Sequence, residues 1–265
     1  MNSIIKRELK VNFKSFAIWL GVMMFFSGIM AVMFPVVLES AEDMMKMLES
    51  MPEAFLSAFG FEAESFNTVT RFYATEGYLF ISLMFCIYAS ILGGGILSKE
   101  ESEGTSEYLL VKPIERKTVI RSKKKVVLFY ILLTALIPLA INIPLFAIMD
   151  EVDVVALVML SILSALAAIT FASITMYISV FISKPRKVLS IGMGLVFGSY
   201  LIQIISMLSE KLEFVKYISI FEYIDSSPIV NNHEVNFIYI GIMLFIIVAT
   251  NILSTKSFIA KDINI

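Results

Sequence analysis

Long hydrophobic stretches alternate with short polar segments along the whole chain, and this alternation predicts the main elements. Six stretches contain no Asp, Glu, Lys, Arg or His, and each has at least the roughly 20 residues that a helix needs to cross a hydrocarbon core of about 30 Å. They are residues 16–38, 77–97, 126–149, 154–183, 188–209 and 235–255. The fourth is long enough for two re-entrant pieces, but one tilted helix is the simpler interpretation. We therefore predict an all-α, polytopic membrane protein with six transmembrane helices, forming a single domain over residues 1–265.

The amino-terminal residues 2–15 have a different pattern from these six stretches. Ile5, Leu9 and Phe13 recur at every fourth position with basic residues between them. This spacing predicts an amphipathic helix at the membrane surface. An interfacial anchor is the simpler role for such a helix, and contact with a partner protein is the alternative.

Composition supports the membrane class, and the positions of the basic residues predict the orientation. Hydrophobic residues make up 58% of the chain, against roughly 45–50% in a soluble domain. If the amino terminus is inside, 17 of the 21 Lys and Arg residues face the cytoplasm, as the positive-inside rule requires. Both termini are thus expected to be cytoplasmic. We expect a multi-pass protein of a bacterial plasma membrane, in contact with membrane lipid and not with nucleic acid.

Several kinds of chemistry are disfavoured by what the six stretches lack. A membrane enzyme would need paired Asp, an H-E-x-x-H motif, or Ser with His at membrane depth, and none is present. Cys86 is the sole cysteine, so it is expected to be a packing residue, and His233, the sole histidine, an ordinary loop residue. We predict no catalytic, cofactor or metal site. The lack of titratable groups also argues against proton coupling, whereas sodium coupling through oxygen atoms remains open.

Uncharged polar and small residues within the stretches predict helix packing. Asn142 lies between Pro138 and Pro144, and hydrogen bonding between helices is the simplest role for its side chain. The fourth stretch has small residues at helical spacing, namely Ser161, Ser164, Ala165, Ala168, Ala172 and Ser173. The run Gly93, Gly94 and Gly95 near the end of the second stretch is interpreted as a packing site, with a hinge as the alternative.

The most polar part of the chain, residues 99–125, separates the second and third stretches and contains 13 of the 44 charged residues. Gly104 and Thr105 predict a break and a helix cap, and Pro113 an end, around a helix of about two turns over residues 106–111. This helix carries apolar side chains that its own loop cannot bury, so it needs the bilayer surface or a protein groove. The basic residues after Pro113 can bind anionic lipid heads. They are Arg116, Lys117, Arg121, Lys123, Lys124 and Lys125.

The motif in this insert carries a resemblance to a known family. Residues 100–116, EESEGTSEYLLVKPIER, combine acidic residues, Gly-Thr, a short apolar helix and Pro-Ile-x-Arg. The motif resembles the cytoplasmic coupling helix of ABC-2 type transporter permeases. The six-helix layout and the amino-terminal helix are also similar to that family. A later segment, ISIFEYIDSSPIV, resembles more weakly the loop before the last helix of these permeases.

The resemblance implies a transport subunit without ATPase activity of its own. Such a permease pairs with a second permease, identical or different, and with ATP-binding cassette subunits that bind ATP and Mg²⁺. The absence of G-x-x-x-x-G-K-[ST] from the chain agrees with this. The docking residues that the resemblance implies are Glu100, Glu101, Glu103, Gly104, Thr105, Glu107, Tyr108, Leu109, Leu110, Pro113 and Arg116.

The expected function is that of an ABC exporter permease. It would move an amphipathic substrate outward, such as a peptide, antibiotic, toxin or lipid-like molecule, with ATP hydrolysis coupled through residues 103–116. An ion-coupled secondary transporter is one alternative. A membrane partner of an ATPase that transports nothing, serving as a sensor or scaffold, is the other.

Overall fold

The computed structural model describes residues 3–39, 68–102, 115–182, 184–208 and 210–261. These residues form six long helices, one short α-helix and two 3-10 helices, Glu210–Ile218 and Glu222–Ile224, and they include no strand. The helices are α1 (Ser3–Glu39), α2, α3 (Arg116–Ala147), α4 (Val154–Phe181), α5 (Pro185–Met207), the short α6 (Ser227–Asn232) and α7 (Phe237–Ala260). Helix α2 consists of a helical turn, Val69–Phe72, a π-helical turn, Tyr73–Gly77, and an α-helix, Tyr78–Ser102. All six long helices have the length and composition to cross a membrane, which confirms the all-α, polytopic fold.

Capping side chains determine where several helices begin. The Asp153 carboxylate accepts a hydrogen bond from Ala156 N–H at 2.9 Å at the start of α4. Asn236 accepts from Ile238 N–H at 3.0 Å before α7, and Thr68 caps α2 in the same way. Each of these oxygens satisfies a backbone donor that has no partner within the helix. Pro185 occupies the first turn of α5, where its missing N–H is not needed.

The six long helices cross the bundle in alternating directions, which gives it two distinct ends. We call one of them the basic end. It contains the first residues of α1, α3 and α5 and the last residues of α2, α4 and α7. We call the acidic end the opposite one, where α4 begins and the segment 210–236 lies. The link between α2 and α3, residues 103–114, therefore belongs to the basic end and lies outside the described residues.

The amino-terminal segment differs from its prediction as a separate interfacial helix. Residues 3–39 form one continuous helix, because no Gly or Pro interrupts the chain near residue 15. Of the three apolar residues predicted on one face, Ile5 and Leu9 pack partly buried against the core, and Phe13 is 60% exposed. The buried row is the neighbouring one, Ile4, Glu8, Asn12 and Phe16. At about 1.5 Å per residue, α1 is longer than the hydrocarbon core is thick, so its beginning extends past the core unless the helix is strongly tilted.

Helix α2 lies at the centre of the bundle. Of its most apolar stretch, 72% is buried, against 11% for α7. It packs chiefly on α4 and α5, while α1 packs on α3 and α7 on α4. Cys86 lies in this core, fully buried, as the packing prediction expected. Movement of α2 therefore requires most of the other helices to adjust.

Small residues allow α2 to approach its neighbours closely. A Cβ atom at Gly93 would lie 2.3 Å from the carbonyl oxygen of Ala172 in α4, and one at Gly94 would lie 2.6 Å from Val188 Cγ1 in α5. The hydroxyls of Ser82 and Ser164 are 3.0 Å apart across the α2–α4 contact. These distances confirm the packing interpretation of the two glycines and of the small residues in α4.

Candidate functional site

Three of the eleven predicted docking residues lie at the two borders of the link between α2 and α3. Glu100 and Glu101 lie in the last turns of α2, and Arg116 is the first residue of α3. The other eight, Glu103, Gly104, Thr105, Glu107, Tyr108, Leu109, Leu110 and Pro113, lie outside the described residues. The site that can be built from described residues is therefore the support of this link at the basic end.

Arg116 is held against the last turn of α7. Its guanidinium Nη1 donates to the carbonyl oxygens of Ile259, at 3.2 Å, and Lys261, at 2.6 Å. Carbonyls at the end of a helix have no partner within the helix, and a cation there also complements the helix dipole. The start of α3 is thus tied to the end of α7.

Lys124 makes a second connection between the same two helices. Its Nζ donates to the carbonyl oxygen of Asn251 at 2.6 Å and to Thr255 Oγ1 at 2.7 Å. Lys117, Arg121 and Lys125 are exposed, so they remain the candidates for contact with anionic lipid heads. Arg116 and Lys124 of the basic cluster are therefore held in place by α7.

Lys123 differs most from its sequence interpretation. Its side chain is 0% exposed, so the prediction that it binds lipid heads is wrong. Its Nζ lies 3.2 Å from Glu8 Oε1 and 2.5 Å from the carbonyl oxygen of Ile96. Glu8 is itself buried, and Asn12 Nδ2 donates to its carbonyl oxygen at 2.9 Å. A buried ion pair thus connects α1, α2 and α3 at the basic end.

Sequence reasoning missed Glu8 and Lys123 as a pair, although one signal for Glu8 was present. Glu8 and Asn12 stand at four-residue spacing between Ile4 and Phe16, which places two polar groups on one face with apolar residues. For Lys123 no local signal exists, because it lies in a run of three lysines that resembles a solvated segment.

Two polar contacts further from the ends of the bundle are made by uncharged groups. Ser27 Oγ donates to Asn142 Oδ1 at 2.8 Å, which is the hydrogen bond between helices expected for Asn142. Tyr78 OH donates to the carbonyl oxygen of Leu160 at 3.3 Å. A cavity of about 50 Å³ lies beside these groups between α1, α2, α3 and α4, and all of its lining residues are uncharged. The space suits water and is too small for a drug-sized molecule.

A larger pocket, of about 390 Å³, opens at the acidic end. Its lining includes the stacked rings of Tyr223 and Tyr239, whose centroids are 4.7 Å apart. Burial raises the pKa of Tyr223. Glu222 also lines the pocket and accepts a hydrogen bond from Gln203 Nε2 at 2.7 Å. A pocket lined by aromatic rings and carboxylates suits a cationic group better than an anionic one.

His233 also belongs to the acidic end, and it has a defined partner. Its Nε2 lies 2.6 Å from Asp153 Oδ2. Burial acts to raise the pKa of Asp153, but hydrogen bonds from Ala156 N–H and from His233 outweigh it, so the pKa lies below its usual value. This contact ties the segment before α7 to the start of α4. Among the described residues, no group of three or more His, Cys, Asp or Glu side chains is placed to hold a metal ion.

Comparison with known proteins agrees with this architecture. No curated protein matches the chain. The sequence profile described as ABC-2 family transporter protein matches residues 2–263, which is nearly the whole chain. With six helices able to span a membrane, the chain is a multi-pass membrane protein and a component of membrane transport. It belongs to the ABC-2 family of transporter proteins.

Proposed function

We propose that this chain is the permease subunit of an ATP-driven exporter in a bacterial plasma membrane. Two copies, or this chain and a related one, form the path across the membrane, and separate subunits bind and hydrolyse ATP with Mg²⁺. The link of residues 103–114 receives the ATPase, with Tyr108, Leu109 and Leu110 in its groove. Glu100, Glu101, Glu103 and Arg116 supply polar contacts around it.

The observation that carries this proposal is the construction of the basic end. Membership of the ABC-2 family implies an ATP-binding cassette partner in general. At the basic end, the link between α2 and α3 is bordered by helices that are anchored to α1 and α7 through Lys123, Lys124 and Arg116. A docking element needs such a support, because a force applied to a loosely attached loop would not move the bundle.

The substrate is proposed to be amphipathic and to move outward. The cavity within the bundle is small and uncharged, so it does not suit a buried ion or a strongly polar molecule. The pocket at the acidic end offers aromatic and carboxylate groups, which suit an amphipathic molecule with a cationic part. Both features fit passage of a largely apolar substrate better than passage of an inorganic anion.

Affinity purification in mild detergent tests the docking part of the proposal. The tagged wild-type chain is expected to recover an ATP-binding subunit from native membranes, and the triple variant Tyr108→Ala, Leu109→Ala, Leu110→Ala is expected to lose it. A matched control replaces Phe214, Tyr217 and Ile218 by alanine, since these three side chains are exposed at the acidic end. Recovery of the ATPase by the control and the wild type, but not by the triple variant, supports the proposal. Absence of an ATPase from all three contradicts it.

The direction of transport is tested separately, after the purified complex has been reconstituted into lipid vesicles. ATP added outside reaches only the complexes whose ATPase subunits face outward, that is, those in the inside-out orientation. A fluorescent, cationic amphipathic dye is expected to accumulate inside these vesicles when ATP is added. Accumulation that needs a sodium gradient and not ATP would instead favour the ion-coupled alternative. Retention of the ATPase with no movement of any amphipathic probe would favour a sensor or scaffold.

A further inference from the structure

The buried polar contact around Lys123 has a composition that packing alone does not explain. We call it the Lys123 node, and it consists of Lys123, Glu8, Asn12 and the carbonyl group of Ile96. Lys123 Nζ lies 3.2 Å from Glu8 Oε1 and 2.5 Å from the Ile96 carbonyl oxygen. The other Glu8 oxygen, Oε2, is 3.4 Å from Asn12 Nδ2. Three helices thus meet through hydrogen bonds to one ammonium group.

The surroundings of the node fix the beginning of α1 on α3. Tyr130 OH donates to the carbonyl oxygen of Leu9 at 2.5 Å. The rings of Phe16 and Tyr130 are in contact, with centroids 4.9 Å apart. The beginning of α1 is therefore attached to α3 over two turns by polar and aromatic contacts together, so the two helices have to move as a unit in this region.

The node lies between the docking link and the rest of the bundle. Ile96 is close to the end of α2, which leads into residues 103–114, and Lys123 lies in the second turn of α3, which follows them. In the same part of α3, Arg116 and Lys124 contact α7. A displacement of the link is thus delivered to α2 and α3 directly, and to α1 only through contacts such as the node.

Stability by itself does not require a buried ion pair at this position. Replacing a buried pair by apolar side chains of similar volume is often neutral or stabilising, because removal of the charges abolishes their desolvation penalty. An ion pair with further hydrogen bonds is, however, restrictive in distance and direction. A node of this kind therefore holds the three helices in one relative arrangement. Apolar side chains of similar volume restrict that arrangement less strictly.

From these contacts we propose that the Lys123 node transmits the movement of the docking link to α1. Lys123 and Glu8 are positioning residues in this process, and they do not touch substrate or ATP. The inference rests on the proposed function, because it presupposes an ATPase that moves the link. It adds that ATP-driven rearrangement of α1 requires the polar contact and not merely a filled volume.

The test separates transmission from stability by comparing charged and apolar versions of the node. The double variant Glu8→Leu, Lys123→Met keeps the volume and removes both charges. Its matched control is Glu213→Leu, Lys216→Met, which removes a partly exposed ion pair of 2.8 Å at the acidic end and the 3.9 Å contact of Lys216 with Glu222. All proteins are studied as the complex with the co-purified ATPase in lipid nanodiscs.

The readout is an ATP-dependent distance at the acidic end, far from the changed residues. Cys86 is replaced by alanine, and nitroxide labels are placed on cysteines introduced at Leu38, in the last turn of α1, and at Asn232, in the last turn of α6. The distance distribution is measured by double electron–electron resonance without nucleotide and with ATP and vanadate. The melting temperature and the yield of bound ATPase are recorded for the same samples.

For the wild type and the acidic-end control, the distance distribution is expected to shift on addition of ATP and vanadate. For the Glu8→Leu, Lys123→Met variant, ATPase yield and melting temperature are expected to stay at the wild-type level while the shift falls at least five-fold. A full shift in this variant would overturn the transmission role and leave the proposed function intact. Absence of a bound ATPase from the wild type would overturn the proposed function, and the role of the node with it.

Discussion

Replacement of Gly93 by alanine is expected to destabilise the bundle. A Cβ atom at this position would lie 2.3 Å from the carbonyl oxygen of Ala172, whereas ordinary contacts begin near 3.4 Å. The obstructing atom belongs to the backbone of α4, so no side chain can rotate to make room. Helix α2 must therefore move away from α4 by about 1 Å, as in other overpacked cores.

The magnitude follows from the contacts that this movement disturbs. Overpacking of this kind costs about 1–3 kcal/mol. The hydrogen bonds between Ser82 and Ser164, at 3.0 Å, and from Thr175 Oγ1 to the carbonyl oxygen of Ser90, at 3.1 Å, also join α2 to α4. A shift of about 1 Å breaks both, and hydrogen bonds between membrane helices average about 0.6 kcal/mol each. The better helix propensity of alanine returns about 0.5–1 kcal/mol, so we expect a net loss of about 2 kcal/mol.

Thermal unfolding in detergent measures this loss. For a chain of this size, about 2 kcal/mol corresponds to a melting temperature lower by about 4–8 °C. The matched control is Gly241→Ala in α7, where nothing lies within 4 Å of the new methyl group, and this variant is expected to be slightly more stable than the wild type. A melting temperature for Gly93→Ala that is equal to or above that of the wild type would refute the reasoning. Adding Ala172→Gly is not expected to rescue Gly93→Ala, because the clash is with the backbone.

Three further predictions concern the polar contacts at the two ends of the bundle. Because the pKa of Asp153 is lowered in the folded protein, its contribution to stability is complete above the unfolded pKa of roughly 4 and is lost as the pH falls through the lower folded value. Asp153→Asn keeps a capping oxygen, so its melting temperature should fall less than that of the wild type between about pH 5 and pH 2.5. Equal decreases would show that the charge of the Asp153 carboxylate contributes nothing to stability. The single variant Lys123→Met leaves the Glu8 carboxylate buried without its ammonium partner, so it is expected to lose about 3–5 kcal/mol of unfolding free energy, while Glu8→Leu, Lys123→Met loses little. Chemical denaturation measures both losses, and similar losses in the two variants would contradict the ion-pair reasoning. Arg116→Ala is expected to lose about 1 kcal/mol and to speed amide exchange in the last turn of α7 without affecting α1, whereas faster exchange throughout the chain would argue against a local cap.

Most of the fold could be predicted, because the features that determine it are local. A helix in a membrane satisfies its own backbone hydrogen bonds, so a stretch of about 20 residues without charge is enough to predict a span. The close approach of α2 to α4 was also predictable, since glycine and serine at helical spacing permit it. The separate amino-terminal helix was not observed, because amphipathic spacing in residues 2–15 does not show whether the helix continues into the first span.

The support of the docking link could be predicted only in part. Arg116 was identified from its motif, but its attachment to the end of α7 joins residues 145 positions apart. The role of Lys123 was predicted wrongly, because burial depends on which helices surround a side chain and not on its neighbours in sequence. Among the described residues of the acidic end, the pairing of His233 with Asp153 likewise spans 80 positions.

The sequence by itself determined that this chain is a membrane protein with six transmembrane helices and that a strongly polar link separates the second from the third. It also determined which family the chain resembles. These properties follow from the length, hydrophobicity and motif of contiguous segments. Only the tertiary structure decided which charges are buried and what they contact, since Glu8 and Lys123 are 115 residues apart and meet through the packing of α1 on α3. The free energy of a buried charge depends on its partner in space, and that partner is not written in the local sequence.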